Sequence, residues 1–435
     1  MIELCEVRKE QFIIFCKIRE NHFIRKRKMP LNTLLLSVIA RKGKTLVMEI
    51  RSFFKELNQS DRSISKAGYS KQRQKLNPRA LLHLSDLRAK NFYKDRQMVQ
   101  RLKGYLVFAS DGTDINLPNT KENYQAYGSS SRKNTKLQAS LSLVCMFDVL
   151  NKMIVGLSLH KCKADERESA LQQMEHAEEL ANTQKVIYLF DRGYPSGEMF
   201  LDLENQEKKF IIRLSSTSFK REQRAMTKDD EMTTITFTRE RINAHKTKRN
   251  YKVAEKLEAA QKITLRFVRI HLSDSKVAYF ATNLEQNEFT SEEIAFLYHL
   301  RWEIETAFDV LKNKLQLENF TGTKPITIEQ DIYASVYICN IMHDMTREAQ
   351  LEREAKSNNE YKYQMAINKN IAVGLIKESI ISFVITNSLI KKGLLMKKIL
   401  KEIESHIEPV REERHYKRTK GKLASKYSNV NKRAY

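Results

Sequence analysis

The spacing of apolar residues along this chain changes near residue 101. Before that point they recur every three to four residues, the helical period. NTLLLSVIARKGKTLVMEIRSFFKEL follows Pro30 with such a pattern; Ser63, Ser65, Gly68 and Ser70 interrupt it, and it resumes after Pro78. From 101 onward the texture is of short, dense apolar runs. YLVFASDGTDINLP reads as a strand ending in turn residues, and KLQASLSLVCMFDVLNKMIVGLSLHKC as two strands around a turn at Asn151-Lys152. ADERESALQQMEHAEEL is an amphipathic helix in which Asp165 and Glu168 resemble a capping box. KVIYLFDRGYPSG opens with an unbroken apolar run, the pattern of a strand covered on both faces. A helix over GEMFLDLENQ and a strand over KKFIIRLSS follow. Residues 215–281 carry three strand-like runs, TTITFTRE, KITLRFVRI and VAYFATN, with a basic loop AHKTKRNYK between the first two. Residues 326–405 are helical again, broken around KSNNEYKYQMAINKN.

The expected architecture is α/β. A helical N-terminal region, 1–100, expected to bind DNA, precedes a core formed by 101–214 and 282–345; 215–281 is a β-rich insertion, and 346–435 a helical C-terminal region with a basic tail. The order β-β-β-α-β-α-β implies a mixed sheet with helices packed on it. That order is also found in ribonuclease-H-like catalytic cores, a fold analogy. Composition narrows the partners. The 435 residues carry a formal net charge of +24, which disfavours compactness unless a polyanion is bound, nucleic acid first of all. No apolar run reaches the length of a membrane span, and the charged N-terminus is not a signal peptide. Five scattered cysteines without a C-x-x-C pair indicate neither a zinc finger nor a disulfide framework, but reduced thiols in a cytoplasmic protein. SKQRQKL, from Ser70 to Leu76, reads equally as a solvated helix face or a DNA-docking helix. The tail from Pro409 to Tyr435 is basic with tyrosines interleaved, a composition that orders against a partner. The neighbouring His343 and Asp344 lie on an amphipathic helix and read as structural.

The stretch from Tyr298 to Leu315, YHLRWEIETAFDVLKNKL, has neither proline nor glycine. At roughly 100° per residue, Leu297, Leu300, Ile304, Phe308, Leu311 and Leu315 share one stripe of a helix. Tyr298, Arg301, Glu305 and Lys312 share a second stripe beside it. A solvated face would also place Arg301 and Glu305 four apart as an ion pair. A single carboxylate flanked by three phosphate-binding groups at the border of a core is, however, what metal-dependent phosphoryl transfer requires. The spacing Y-x2-R-x3-E-x6-K, with Trp302, Ile304, Phe308 and Leu311 around it, resembles the signature of the DDE transposases of bacterial insertion sequences, specifically the insertion-sequence-four family. SDGT, DRGY and this helix occur in the family's order, with a β-rich stretch before the third.

Asp111 lies in SDGTD and Asp191 in FDRGY, each at the end of a predicted strand, where functional groups of open α/β sheets gather. If those strands are neighbours, the carboxylates come close and repel unless a cation intervenes. Oxygen ligands without histidine or cysteine point to magnesium or manganese. Taken singly, an aspartate before glycine is more often a turn former, and Asp114 is an alternative to Asp111. The resemblance implies two ions held by Asp111, Asp191 and Glu305, and DNA phosphates held by Tyr298, Arg301 and Lys312. It implies a transposase that cuts double-stranded DNA at the terminal inverted repeats of its element and joins the ends to a target, working as a homodimer in the bacterial cytoplasm. A nuclease without a joining step and an inactive DNA-binding derivative are the alternatives. In some relatives a tryptophan of the insertion stacks on an extruded base. The only tryptophan here is Trp302, so Phe219, Phe237, Tyr251 or Phe267 would have to serve.

Overall fold

A computed structural model of the chain describes residues 9–25, 28–95, 98–130, 137–162, 165–273, 276–356 and 361–410. Cys5 and the basic tail from 411 onward lie outside the described residues. The chain forms two compact units, each built from separate stretches: 1–94, 114–142 and 307–435 in the first, 95–113 and 143–306 in the second.

The second unit is organised on a mixed sheet. Its strands are β1 (Leu106–Asn116), β3 (Gln138–Asp148), β4 (Met153–Lys161), β5 (Val186–Phe190), β6 (Lys209–Leu214), β7 (Asp230–Thr236), β8 (Lys262–Ser273) and β9 (Lys276–Thr282); β2 (Ser129–Ser130) pairs with the start of β3 in the first unit. β1 and β3 run on across the boundary between the units. The sheet order is β3-β1-β5-β6-β9-β8-β7, with β4 hydrogen-bonded to β3. β1, β5 and β6 are parallel; β6, β9, β8 and β7 alternate in direction. All five residues of β5 are buried, as its unbroken apolar run requires of a strand covered on both faces. The β3–β4 turn falls where the sequence puts it: Asp148 Oδ1 accepts from the amides of Leu150 and Asn151, and Lys152 takes φ +57°.

Two sequence expectations need correction. The basic segment read as a loop is largely helical, in Arg239–Thr247 and Tyr251–Ala260. Thr238 caps the first of these, and burial of Ile242, Val253, Ala254 and Leu257 holds the pair against the unit. The capping box at Asp165 is half formed. Asp165 accepts from the Arg167 amide, while Glu168 accepts from Gln172 on its own helix.

The first unit is helical around Pro325–Lys356, whose 32 residues would span about 48 Å. Arg79–Lys94, Leu31–Ile39, Lys369–Ile385 and Leu389–Ser405 pack against it. A buried ionic network fixes that packing. Asp331, fully buried, takes a bond from Arg73 at 2.8 Å and faces Arg41 at 3.8 Å. Arg73, 1 % exposed, also donates to Gln330 and Thr321. The SKQRQKL stretch therefore matches neither sequence reading throughout, because Arg73 is turned into the core. Asp344 pairs with Arg88, and His343 is buried, consistent with a structural pair. Cys16, Cys145 and Cys339 are buried, and among the described residues they form no disulfide.

Candidate active site

The two aspartates reach one place because their strands are neighbours. β1 and β5 pair in parallel from Leu106↔Val186 to Ala109↔Leu189. Asp111 and Asp191 each follow that last pair by two residues, so the alternation of strand side chains puts both on the same side. β1 does not end at Asp111, as the sequence suggested, but continues to Asn116; its pairing with β5 ends earlier, at Ala109. Asp191 is also a turn former, since its Oδ1 accepts from the Gly193 amide at 2.7 Å. Asp191 thus has a structural part in the DRGY turn. Gly112, by contrast, lies inside the strand, and a Cβ there would collide with the Glu166 carboxylate.

The third carboxylate arrives on a helix that differs from the one expected. Ser291–His299 is closed at its start by a capping box between Thr290 and Glu293. The chain then tightens over 300–301, where Arg301, Glu303 and Ile304 each donate to the residue three before. A second helix, Trp302–Asp309, follows, and then a π turn, Val310–Lys314. In that turn Leu315 donates to the carbonyl five residues before it, at 2.8 Å. The single polar stripe predicted from ideal geometry is thus broken twice.

Arg301 links the pieces. Its Nη2 donates to Glu305 Oε1 at 2.9 Å and its Nη1 faces Asp111 Oδ2 at 3.4 Å. Arg301 is 7 % exposed, and its guanidinium lies against the rings of Tyr298 and Trp302, with centroids at 5.8 and 5.6 Å. Tyr298 is buried in turn, 4.9 Å from the ring of Phe280. Burial pushes the Asp111 carboxyl up to about 6; Arg301 opposes this, and the charges of Asp191 and Glu305 add to it. Asp111 thus feels both other carboxylates. Among the described residues, no three histidine, cysteine or acidic side chains stand close enough to share a metal ion. Here the Arg301 guanidinium provides the positive charge at Asp111 and Glu305.

Lys312 belongs to the first unit, where its Nζ donates to the Asp114 carbonyl at 2.7 Å. Sequence reasoning missed three groups of the second unit. Glu166 abuts Gly112 at the start of helix Glu166–Ala181. Tyr194 and Ser110 face each other, buried, at 3.4 Å, and the tyrosine's pKa is driven up by burial first and also by Glu166, Asp111 and Asp191. In sequence Glu166 is only an acidic residue after the Asp165 cap, and no periodic signal marks Tyr194. Of the four insertion aromatics, Phe237 and Phe267 are buried and Phe219 is packed between Phe200 and Arg241. Tyr251 is exposed.

Neighbouring parallel strands thus carry Asp111 and Asp191, and Arg301 ties the helix-borne Glu305 to Asp111. The family described as Transposase DDE domain matches residues 102–341, and the chain belongs to that family. It is 23% identical over 246 residues to Transposase InsG for insertion sequence element IS4 of Escherichia coli (strain K12), an alignment covering 55% of this chain and 52% of the relative. The resemblance read in the Y-x2-R-x3-E-x6-K helix is borne out. The chain spans about half the length of that curated relative. Among solved structures, the cryo-EM structure of the piggyBac transposase synaptic complex with hairpin DNA gives a TM-score of 0.40 at 10% identity, over 92% of this chain and 80% of that one. A likeness so distant transfers no detail. No helix among the described residues is long and apolar enough to cross a membrane.

Proposed function

We propose that this chain is a transposase that cuts DNA at the terminal inverted repeats of an insertion sequence and joins the ends to target DNA, as a homodimer pairing two ends in the bacterial cytoplasm. The observation that carries the reading is the register of β1 and β5, whose last pair, Ala109↔Leu189, stands two residues before both Asp111 and Asp191. The sheet order β4-β3-β1-β5-β6 supports a ribonuclease-H-like core.

The donor set suits magnesium or manganese. It consists of hard carboxylate oxygens, and the charges of Asp191 and Glu305 both act on Asp111. Asp111, Asp191 and Glu305 would hold the ions. A bound pair would supply charge for the attacking and leaving oxygens of an in-line displacement at phosphorus. This chain's own groups position that chemistry. The β1–β5 pairing fixes the aspartates, Arg301 orients Glu305, and Tyr298 and Trp302 cover the guanidinium against water. Tyr298, Arg301 and Lys312 are the proposed contacts to DNA phosphates, with arginine suited to a two-bond grip and lysine to a point charge.

The test is strand cleavage on a plasmid bearing the inverted repeats that flank the gene. Asp111→Ala, Asp191→Ala and Glu305→Ala are each expected to abolish cutting and to leave DNA binding largely intact. The wild type is expected to cut only with magnesium or manganese. Cleavage in chelator, or near wild-type cleavage by any of the three variants, overturns the assignment.

A further inference from the structure

A cavity of about 680 Å³ opens in the first unit beside helix Lys66–Arg73. Lys28, Lys71 and Lys75 line it, and among the described residues no carboxylate does. Among the described residues none of these three lysines makes an ion pair. A fourth ammonium, that of Lys324, reaches the same wall by donating to Gln74 Oε1 at 3.1 Å. Met29 and Ile64 give the cavity an apolar side. Gln72 also lines it, is nine-tenths buried, and its side-chain Oε1 has no hydrogen-bond partner. Buried carbonyl oxygens are ordinarily satisfied, so this one calls for a donor.

The occupant must meet three demands at once: negative charge for the ammoniums, a hydrogen-bond donor for Gln72, and an apolar face for Met29 and Ile64. Inorganic phosphate, even with a P–OH donor, lacks the apolar face. A nucleotide within a DNA strand meets all three, through its phosphodiester oxygens, its base amino group and its base or sugar face. The chain's charge of +24 favours a nucleic acid over other anions. We propose that this cavity seats a nucleotide of bound DNA, with its flanking phosphates on Lys28, Lys71 and Lys75 and a base amino group on Gln72. The site rests on DNA being the partner, as proposed above. It is built in advance, because Arg73 anchors the same helix through its bond to buried Asp331 while the exposed Lys71 stays outside.

The test measures binding of the full chain to a short duplex across a range of salt, without divalent cation. Lys71→Ala combined with Lys75→Ala is expected to weaken binding and to make log affinity against log salt shallower by about 1.8, two lost phosphate contacts. Gln72→Leu is expected to keep the slope and to reduce the base preference at one position about tenfold, read by sequencing the bound fraction of a randomised pool. If the wild type binds DNA and the double variant keeps its slope, the cavity assignment fails and the transposase reading stands. If the wild type binds no DNA, both fail. An unchanged base preference in Gln72→Leu overturns the base contact. Calorimetric binding of free deoxyadenosine monophosphate, with an unchanged DNA slope in the double variant, reassigns the cavity to a free nucleotide and overturns the proposal.

Discussion

Asp111 shows what the site demands of a single residue. Its carboxyl rises from the usual 3.8 to about 6, chiefly because it is buried. Between those two values the folded chain holds a proton that the unfolded chain has lost. Stability is therefore highest below the lower value, falls as the pH rises through that window, and stays reduced above it. The shift corresponds to at most about 3 kcal/mol. Asp111→Asn removes the penalised charge. In chelator the variant is expected to be more stable than the wild type at pH 7, with the difference vanishing below about pH 4. Urea unfolding at the two pH values measures this; equal stability at pH 7 would mean that Arg301 already compensates the charge. Added magnesium or manganese should stabilise the wild type at pH 7 and not the variant.

At the scale of elements, the signature helix separates what a sequence can tell from what it cannot. The identities and order of Tyr298, Arg301, Glu305 and Lys312 were legible, as were the strands leading to both aspartates, because dense apolar runs mark buried strands. The adjacency of β1 and β5 was not, because strand pairing joins segments distant in sequence and leaves no local trace. Nor was the tightening at 300–301 or the π turn at Val310–Lys314, since the residues there have ordinary helix-forming character. Such turns recur at functional sites, and this one carries Lys312. Its bond to the Asp114 carbonyl gives Lys312 a structural share. Lys312→Ala is accordingly expected to lower stability by about 1 kcal/mol. If the lysine also meets a phosphate, the salt dependence of duplex binding becomes shallower by about 0.9. A stability loss with an unchanged slope would leave the bond to Asp114 as its role.

Over the whole molecule, the buried network at Asp331 is the feature most hidden from sequence reading. Arg73 stands in a basic stretch that looks like surface, and its partner lies 258 residues away. Despite full burial, Asp331 keeps its pKa below the usual range, because Arg73 first and then Arg41 outweigh the cost of desolvation. Asp331→Ala would strand two buried guanidiniums, at a cost of about 3–5 kcal/mol, to be read as a lower urea midpoint. Removing 1–104 would strand Asp331 in the same way, so point variants are the cleaner probes of DNA recognition by that region. The same distance governs how the protein is made. At roughly 5–20 residues per second, Arg73 leaves the ribosome some ten to fifty seconds before Asp331 exists to receive it. Through that interval the first helices carry both bare apolar surface and unmatched charge, and the long helix Pro325–Lys356 they finally pack against has not been synthesised. A ribosome that releases the chain early delivers no smaller working version of the protein, only a client for chaperones and proteases.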